Sequence, residues 1–591
     1  MNRNILLVLF IFILFFPLVL KAQQVHFTDV ADAIGVNPPI QFIRGSVSFC
    51  DFNDDGLEDL SFSSAQDFPL FIFKNDSPLF IDVTFSLQLN DSLRSMNLLW
   101  ADYDNDGDKD LFCAIDFESN NYYSRLYRND EGVMVDVTIP SGIGTEPSSC
   151  NAAAWADYNN DGWLDLFVTH YSEYKQNYLY KNNGDGSFTD VTNIAGVAGF
   201  DSTSGFYKLP FAIAFHDFDN DGWLDIHICN DHFTGDYQYR NNGNGTFSDV
   251  SQSSGADVSG FMMGIAVGDY DENGFLDLYL SNDPFGNYLL KNNGDGTFTD
   301  VAEELGLAVY KSCWGTNFID YDNDGDVDLY VCAEIGTNAF FKNNGDGTFS
   351  QLTGIGLDTD NKSYGCAIGD LDNNGFYDIA VHNQQSIPNV YKNSGGANNW
   401  LKIKLTGVEC NRDAIGSRIE AYVNGRKLIR ELTCGISYMS QNSNSTIIGL
   451  GSSSLVDSII VRWAGGSTID ILRNVSVNQT ITLVEGETIV NVENQLNFPA
   501  EFVLNQNYPN PFNPNTKINF SLAVDSKVNL KVFDILGQEV ANLISADLLA
   551  GSHNVDFNAA SINSGVYFYR IEATGIDGTN FTNVKKMIIT K

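Results

Sequence analysis

The sequence predicts an all-β protein, and three observations carry that reading. An acidic loop of fixed form recurs seven times. Short apolar strands flank each copy and are joined by Asn-Gly and Asp-Gly turns, which accept the positive φ of tight hairpins. The region after the last copy also reads as alternating strands, in two blocks.

Composition bounds the function before any motif is read. The chain has 591 residues, with 75 acidic against 33 basic and a net charge of −42. Nucleic-acid recognition and docking on anionic lipid both need a basic face, so both are excluded. An apolar content of 43% is enough to fill cores and excludes disorder. With 7 His and 9 Cys, hard oxygen-seeking cations are better suited to this chain than transition metals.

The first element is an address. Met1-Asn2-Arg3-Asn4, the apolar run Ile5 to Leu20 and Lys21-Ala22-Gln23 predict a secretory signal peptide over 1–22, cut after Ala22. No later stretch is apolar enough to span a membrane, so the mature chain is expected to lack a transmembrane segment.

The second element, 23–397, is the repeat. Each copy reads Asp-x-Asp/Asn-x-Asp/Asn-Gly-x-x-Asp, and the copies start at Asp51, Asp102, Asp157, Asp217, Asp269, Asp320 and Asp370. One unit parses as Gly264–Gly268, the loop, Leu278–Leu280, Asn287–Lys291 and Thr297–Val301. Four short antiparallel strands per period make a propeller blade, so seven copies predict a seven-bladed β-propeller. A lone fourth-strand sequence, Phe27–Val30, precedes the first loop and is expected to complete the last blade.

Loop spacing decides the chemistry. Side chains at positions 1, 3 and 5, the carbonyl at 7 and a carboxylate at 9 form an all-oxygen cage suited to calcium, with Gly at 6 for the sharp turn. The predicted ligands are Asp51, Asn53, Asp55, Leu57 and Asp59 in the first loop, and Asp102, Asp104, Asp106, Asp108 and Asp110 in the second. The third has Asp157, Asn159, Asp161, Trp163 and Asp165, and the fourth Asp217, Asp219, Asp221, Trp223 and Asp225. The fifth has Asp269, Asp271, Asn273, Phe275 and Asp277, and the sixth Asp320, Asp322, Asp324, Asp326 and Asp328. The seventh has Asp370, Asp372, Asn374, Phe376 and Asp378. Up to seven calcium sites are expected, tighter where position 3 and position 5 are both Asp. Asp, Asn and Gly also make good turns, but turns alone do not need Asp at positions 1 and 9 in every copy. Trp100, Trp155, Trp163 and Trp223 recur with the blades and read as packing residues.

These loops resemble the FG-GAP or VCBS repeats of the integrin α-subunit propeller and of bacterial surface proteins. The Phe-Gly and Gly-Ala-Pro signatures are degraded, for example to Gly264-Ile265-Ala266, so integrin-like ligand binding is not carried over.

The third element, 398–486, reads as a small β-rich domain. Asn411-Arg412-Asp413-Ala414-Ile415-Gly416-Ser417-Arg418, Gly435-Ile436-Ser437-Tyr438-Met439-Ser440-Gln441, Ile448-Gly449-Leu450-Gly451 and Val461-Arg462-Trp463 resemble the ASPIC/UnbV domain of the cartilage acidic protein family. Ala414 and Ala464 depart from the expected Gly and Pro. Ser437, Tyr438, Ser440 and Gln441 are read as packing on the propeller, or as polar contacts together with Arg418 and Arg462. Cys410 and Cys434 are candidates for a disulfide outside the cytoplasm.

A linker, 487–500, leads to a β-sandwich over 501–591. Asn507-Tyr508-Pro509-Asn510-Pro511-Phe512-Asn513-Pro514, Phe533-Asp534-Ile535-Leu536-Gly537, Ser564-Gly565-Val566-Tyr567 and Lys585-Lys586-Met587-Ile588-Ile589 resemble the type A C-terminal sorting domain of the type IX secretion system. That resemblance implies passage through the periplasm and outer membrane by the type IX machinery, to secretion or the cell surface.

No metalloprotease helix, Gly-x-Ser-x-Gly elbow, phosphate loop or dinucleotide fingerprint occurs in the sequence. The expected function is calcium-dependent extracellular binding or adhesion, with an unidentified protein or glycan as ligand. A secreted enzyme acting on polysaccharide and a structural surface-layer component are the alternatives.

Overall fold

The structure is a computed structural model. It describes residues 25–39, 44–65, 68–89, 94–115, 123–144, 150–466, 468–487, 502–524, 526–548, 551–560, 562–575 and 579–590. The predicted signal peptide, and all of the linker but residue 487, lie outside them. The chain divides into two compact units, one up to Ile489 and one from Val490.

In the first unit the repeat region forms seven four-stranded antiparallel sheets, and the acidic loop always joins the first strand to the second. The fifth sheet is typical: Met262–Gly268, Asp277–Asn282, Tyr288–Asn292 and Phe298–Asp300. First strands are mostly apolar and buried because each packs against those of the neighbouring sheets, and Val47–Cys50 of the first sheet also meets Lys362–Gly369 of the seventh. The seventh sheet takes its fourth strand from the other end of the repeat. Phe27–Asp29 pairs antiparallel with Asn389–Asn393, Phe27 opposite Asn393, where the sequence reading put it. Five one-turn helices follow fourth strands, and each starts where an Asp at the strand end accepts a backbone N–H two residues on, as Asp190 does from Thr192 at 3.0 Å.

Residues after 398 form two further sheets. Asn399–Thr406 pairs with Thr446–Gly451 and, in parallel, with Gln479–Val484; Arg426–Glu431, Arg418–Val423, Leu455–Arg462 and Ile469–Ser476 make the other. Leu401, Ile419, Ile459 and Trp463 lie in their shared core. One segment leaves this core and runs among the first strands of the repeat. Cys434 bridges Trp155, Ser437 bridges Ile265 and Gln441 bridges Ser48. The Gln441 amide accepts from Trp100 N at 2.7 Å and donates to Trp100 O at 2.9 Å, while Ser437 Oγ accepts from Thr316 N and Asn442 Oδ1 from Ile368 N. Tyr438 is fully buried against Phe211, Trp314 and Tyr364. First strands of all seven sheets thus touch this segment.

Ser437, Tyr438, Ser440 and Gln441 therefore pack inside the repeat. Arg418 and Arg462 are not with them and converge on Glu420, 3.3 and 3.6 Å away. All nine cysteines are buried and none forms a disulfide. Cys410 and Cys434 are not joined, because Cys434 sits among the first strands with its thiol toward Trp100 O, while Cys410 stays beside Glu485.

The second unit is a β-sandwich. Val503–Leu504, Asn515–Leu522 and Gly551–Asn558 form one sheet; Glu539–Leu548, Ser526–Phe533, Gly565–Gly575 and Asn580–Ile589 form the other. Alternate residues Val528, Leu530 and Val532 point into its core with Tyr569, Ile571 and Met587. Among the described residues no helix is long and apolar enough to cross a membrane.

Candidate metal centre

Each acidic loop is wound by its own first residue. The position-1 carboxylate accepts the N–H of the position-6 glycine in all seven loops, at 2.8–3.1 Å. In six loops it also accepts the position-5 N–H at 3.0 Å. These glycines have φ between 79° and 105°, a region side-chain-bearing residues avoid, so glycine at 6 is a backbone requirement. The position-7 N–H donates to the position-5 side chain in every loop. The ring of Trp163 lies on Gly184 and that of Trp223 on Gly243, covering the following hairpin turn, while Trp100 and Trp155 are buried.

The position-9 Asp opens the second strand and is clamped from the third. Its Oδ1 accepts the backbone N–H of Asn75, Asn129, Asn182, Asn241, Asn292, Asn343 or Asn393 at 2.7–2.8 Å. Positions 1, 3 and 9 converge. In the loops starting at Asp102, Asp217, Asp269 and Asp320, one oxygen from each lies within 4.8 Å of the others. Oδ1 of Asp104, Asn159, Asp219 and Asp322, all at position 3, and Oδ1 of Asp320 are buried with no hydrogen-bond partner. Burial pushes Asp59 up to about 8 and Asp110 to about 9, and drives Asp165, Asp225, Asp277, Asp328 and Asp378 well above the carboxylate range. Orphaned oxygens beside carboxylates that resist ionising are the signature of a cage built around positive charge. A hard cation with oxygen ligands fits this donor set.

Two further sets of residues belong to the centre, and sequence reasoning missed both. A base precedes the third-strand Asn in every repeat, and six of the seven bases reach their own loop. Lys74 pairs with Asp55, Lys181 with Asp161, Arg240 with Asp219 and Asp221, Lys291 with Asp271, Lys342 with Asp322 and Asp324, and Lys392 with Asp372. Arg128 turns instead to Asp130 at 2.7 Å. The region after 398 adds its own cations: Lys402 to Asp370, Lys404 to Asp51, Arg412 to Asp102 and Arg426 to Asp326.

The second set stitches loop to loop. Position 4 is left-handed in all seven loops, φ 53–60°, which Asn tolerates best. Asn105, Asn160, Asn220 and Asn323 each donate to the position-6 carbonyl of the next loop, at 2.8–3.2 Å. Asn373 of the seventh loop donates to Gly56 of the first at 3.0 Å. Asn75 of the first repeat reaches Leu371 O of the seventh at 2.9 Å. Asp54 and Glu272 occupy position 4 in the other two loops and have no amide to donate.

Known proteins match this layout in three blocks. An FG-GAP-like repeat model matches residues 102–168, 157–228, 217–280, 273–331 and 320–381. "ASPIC and UnbV" matches 407–490, and "Secretion system C-terminal sorting domain" matches 506–590. The chain is 23% identical over 433 residues to cartilage acidic protein 1 of Homo sapiens, covering 65% of this chain and 62% of that protein. It is 24% identical over 424 residues to cartilage acidic protein 1 of Xenopus tropicalis, covering 60% and 64%. The chain thus spans less than two thirds of the relatives it matches. Among solved structures, the extracellular domain of BT4673 from B. thetaiotaomicron aligns at 10% identity and a TM-score of 0.36, covering 96% of this chain and 59% of that one. The sorting domain directs the chain through the type IX secretion system to the cell surface or the extracellular space.

Proposed function

We propose that this chain, which carries FG-GAP-like repeats, an ASPIC/UnbV domain and a type IX sorting domain, is a calcium-stabilised extracellular binding protein built on a closed seven-bladed propeller. Closure is supported by Phe27–Asp29 in the seventh sheet and by the Asn373 and Asn75 bonds between the last repeat and the first. The cut signal peptide over 1–22, the propeller over 23–397, the ASPIC/UnbV-like domain over 398–486 and the sorting domain over 501–591 are the division this reading adopts.

The observation that carries the calcium assignment is the set of buried, unpartnered position-3 oxygens facing converged carboxylates. Positions 1, 3, 5 and 9 would ligate by side chain and position 7 by its carbonyl. Calcium supplies charge and cross-links each first strand to its second. Binding rather than catalysis is favoured because the carboxylates are committed to loop geometry seven times over.

The test is metal content of the mature chain together with its melting temperature before and after chelation. Several bound calcium ions and a marked fall in melting temperature support the reading. No bound calcium and an unchanged melting temperature overturn it.

A further inference from the structure

The antiparallel sheets put the acidic loops, and the domain that covers them, at one end of every sheet. The opposite ends, where second strands turn into third strands, carry exposed apolar residues in successive repeats. Tyr174, Phe233, Phe285 and Ile335 occupy this turn in the third to sixth sheets, with exposures of 79, 52, 55 and 67%. Apolar side chains this exposed, repeated at one topological place, mark a contact surface.

The best-formed part spans the fourth and fifth sheets. Phe233 lies 4.9 Å from Phe261 and 5.3 Å from Phe285, and the rings of Phe261 and Phe285 are offset at 21°. Backbone strain holds this ledge outward. His232 and Phe233 both have φ of 57°, uncommon for one bulky residue and more so for two in succession. The strain is held by Phe233 N donating to Gly260 O at 2.7 Å and His232 N to Asp231 Oδ1 at 2.7 Å. Strain of this kind persists where it serves a site.

Polar groups edge the ledge. The Tyr171 hydroxyl donates to the buried carboxylate of Asp231 at 2.7 Å, and the exposed His232 ring lies 3.5 Å from the same carboxylate. Exposed rings bordered by the imidazole of His232, 56% exposed and oriented by the buried Asp231, match a sugar. Its C–H face is apolar, and its hydroxyl rim both donates and accepts. The net charge of −42 repels sulfated and uronic chains but is indifferent to neutral ones.

We infer that this end binds a neutral polysaccharide, packed on the exposed rings of Phe233 and Phe285 and hydrogen-bonded through His232. The inference rests on the reading of the chain as an extracellular binding protein, and it names the ligand class and the end of the sheets that takes it.

The experiment is retention of the mature, calcium-loaded chain on amylose, cellulose, β-1,3-glucan and galactomannan, with alginate and chondroitin sulfate as anionic probes. Retention on at least one neutral polymer is expected. It should weaken roughly tenfold or more in the Phe233→Ala, Phe285→Ala double variant, as for truncated aromatic anchors. The conservative Phe233→Tyr variant should keep it, and both variants should melt where the parent does, because the replaced rings are half exposed. Retention by no neutral polymer, by the anionic probes alone, or unchanged in the double variant overturns the inference, as does a protein ligand captured through the same rings. If calcium is bound and chelation lowers the melting temperature while no neutral polymer is retained, the glycan inference falls and the calcium reading stands.

Discussion

The second and seventh acidic loops share a spacing and differ in how their charge is balanced. In the second, positions 1, 3, 5 and 9 are all Asp, Arg128 has turned away to Asp130, the cation on the loop is the half-exposed Arg412 at 3.6 Å from Asp102, and Asp104 Oδ1 is buried and unpartnered. In the seventh, position 5 is Asn374, Lys392 sits on Asp372 at 2.6 Å, and Lys402 reaches Asp370 at 3.2 Å with both groups 1% exposed. The same fold of backbone thus meets two lysines in the seventh loop and one more distant arginine in the second, which keeps more of its charge unbalanced. Loop spacing brings the carboxylates together; on the calcium proposal, the neighbouring side chains set how strongly each loop needs the ion.

The largest way to test this contrast is to remove the metal. Chelation should lower the melting temperature in calorimetry, since each site held at about 100 times its Kd contributes about 2.7 kcal/mol. Lys402→Met comes next. It strands a buried carboxylate, so the chelated protein should lose about 3–5 kcal/mol in urea unfolding. Added calcium should recover part of that loss by replacing the lysine. Recovery equal to the parent's response to calcium would show the two loops to be alike.

The Asp104→Asn and Asp372→Asn pair sharpens the comparison directly. By mass-spectrometric metal content, the first should cost about one bound ion at limiting calcium and the second less than that, because the seventh loop, already neutralised by two lysines, is the weaker site before the change. Asn373→Ala should cost about 2 kcal/mol in either calcium state, about 1 for each of its two hydrogen bonds, to Gly56 O and from Lys402 Nζ.

The smallest effect concerns pH. Burial holds His170 down to about 3 and His382 to about 4, from 6.5. The unfolded chain therefore takes up protons below pH 6.5 that the folded chain refuses. Stability from these groups is complete above 6.5 and is lost as pH falls toward 4. In the calcium-loaded protein, His382→Gln should flatten that slope in pH-dependent melting.

Much of this was legible in the residues. The converging acidic positions follow from positions 1 to 9, and the fourth strand of the seventh sheet from a fourth-strand sequence standing alone before the first loop. The third-strand base and the position-4 Asn were also written there repeatedly. They pass for filler because Lys-Asn and Asn-Asp suit any turn, and only the left-handed φ and the inter-loop bonds give them a role. The segment Cys434–Ser443 was legible as packing on the repeat, but its individual partners were not. Its partners lie up to nearly 400 residues away, as between Val47 and Ser440, and it has no period to betray them.

That segment has a consequence for how the protein comes into being. A chain emerging from its N-terminus holds every four-stranded sheet of the repeat by residue 393, yet the first strands still lack the backbone partners that arrive with residues 434–443. The boundary near 397 is therefore one of sequence and not of assembly. A fragment ending there would leave polar groups of the first strands open to water, unable to reach its final state until the next forty-odd residues had been made.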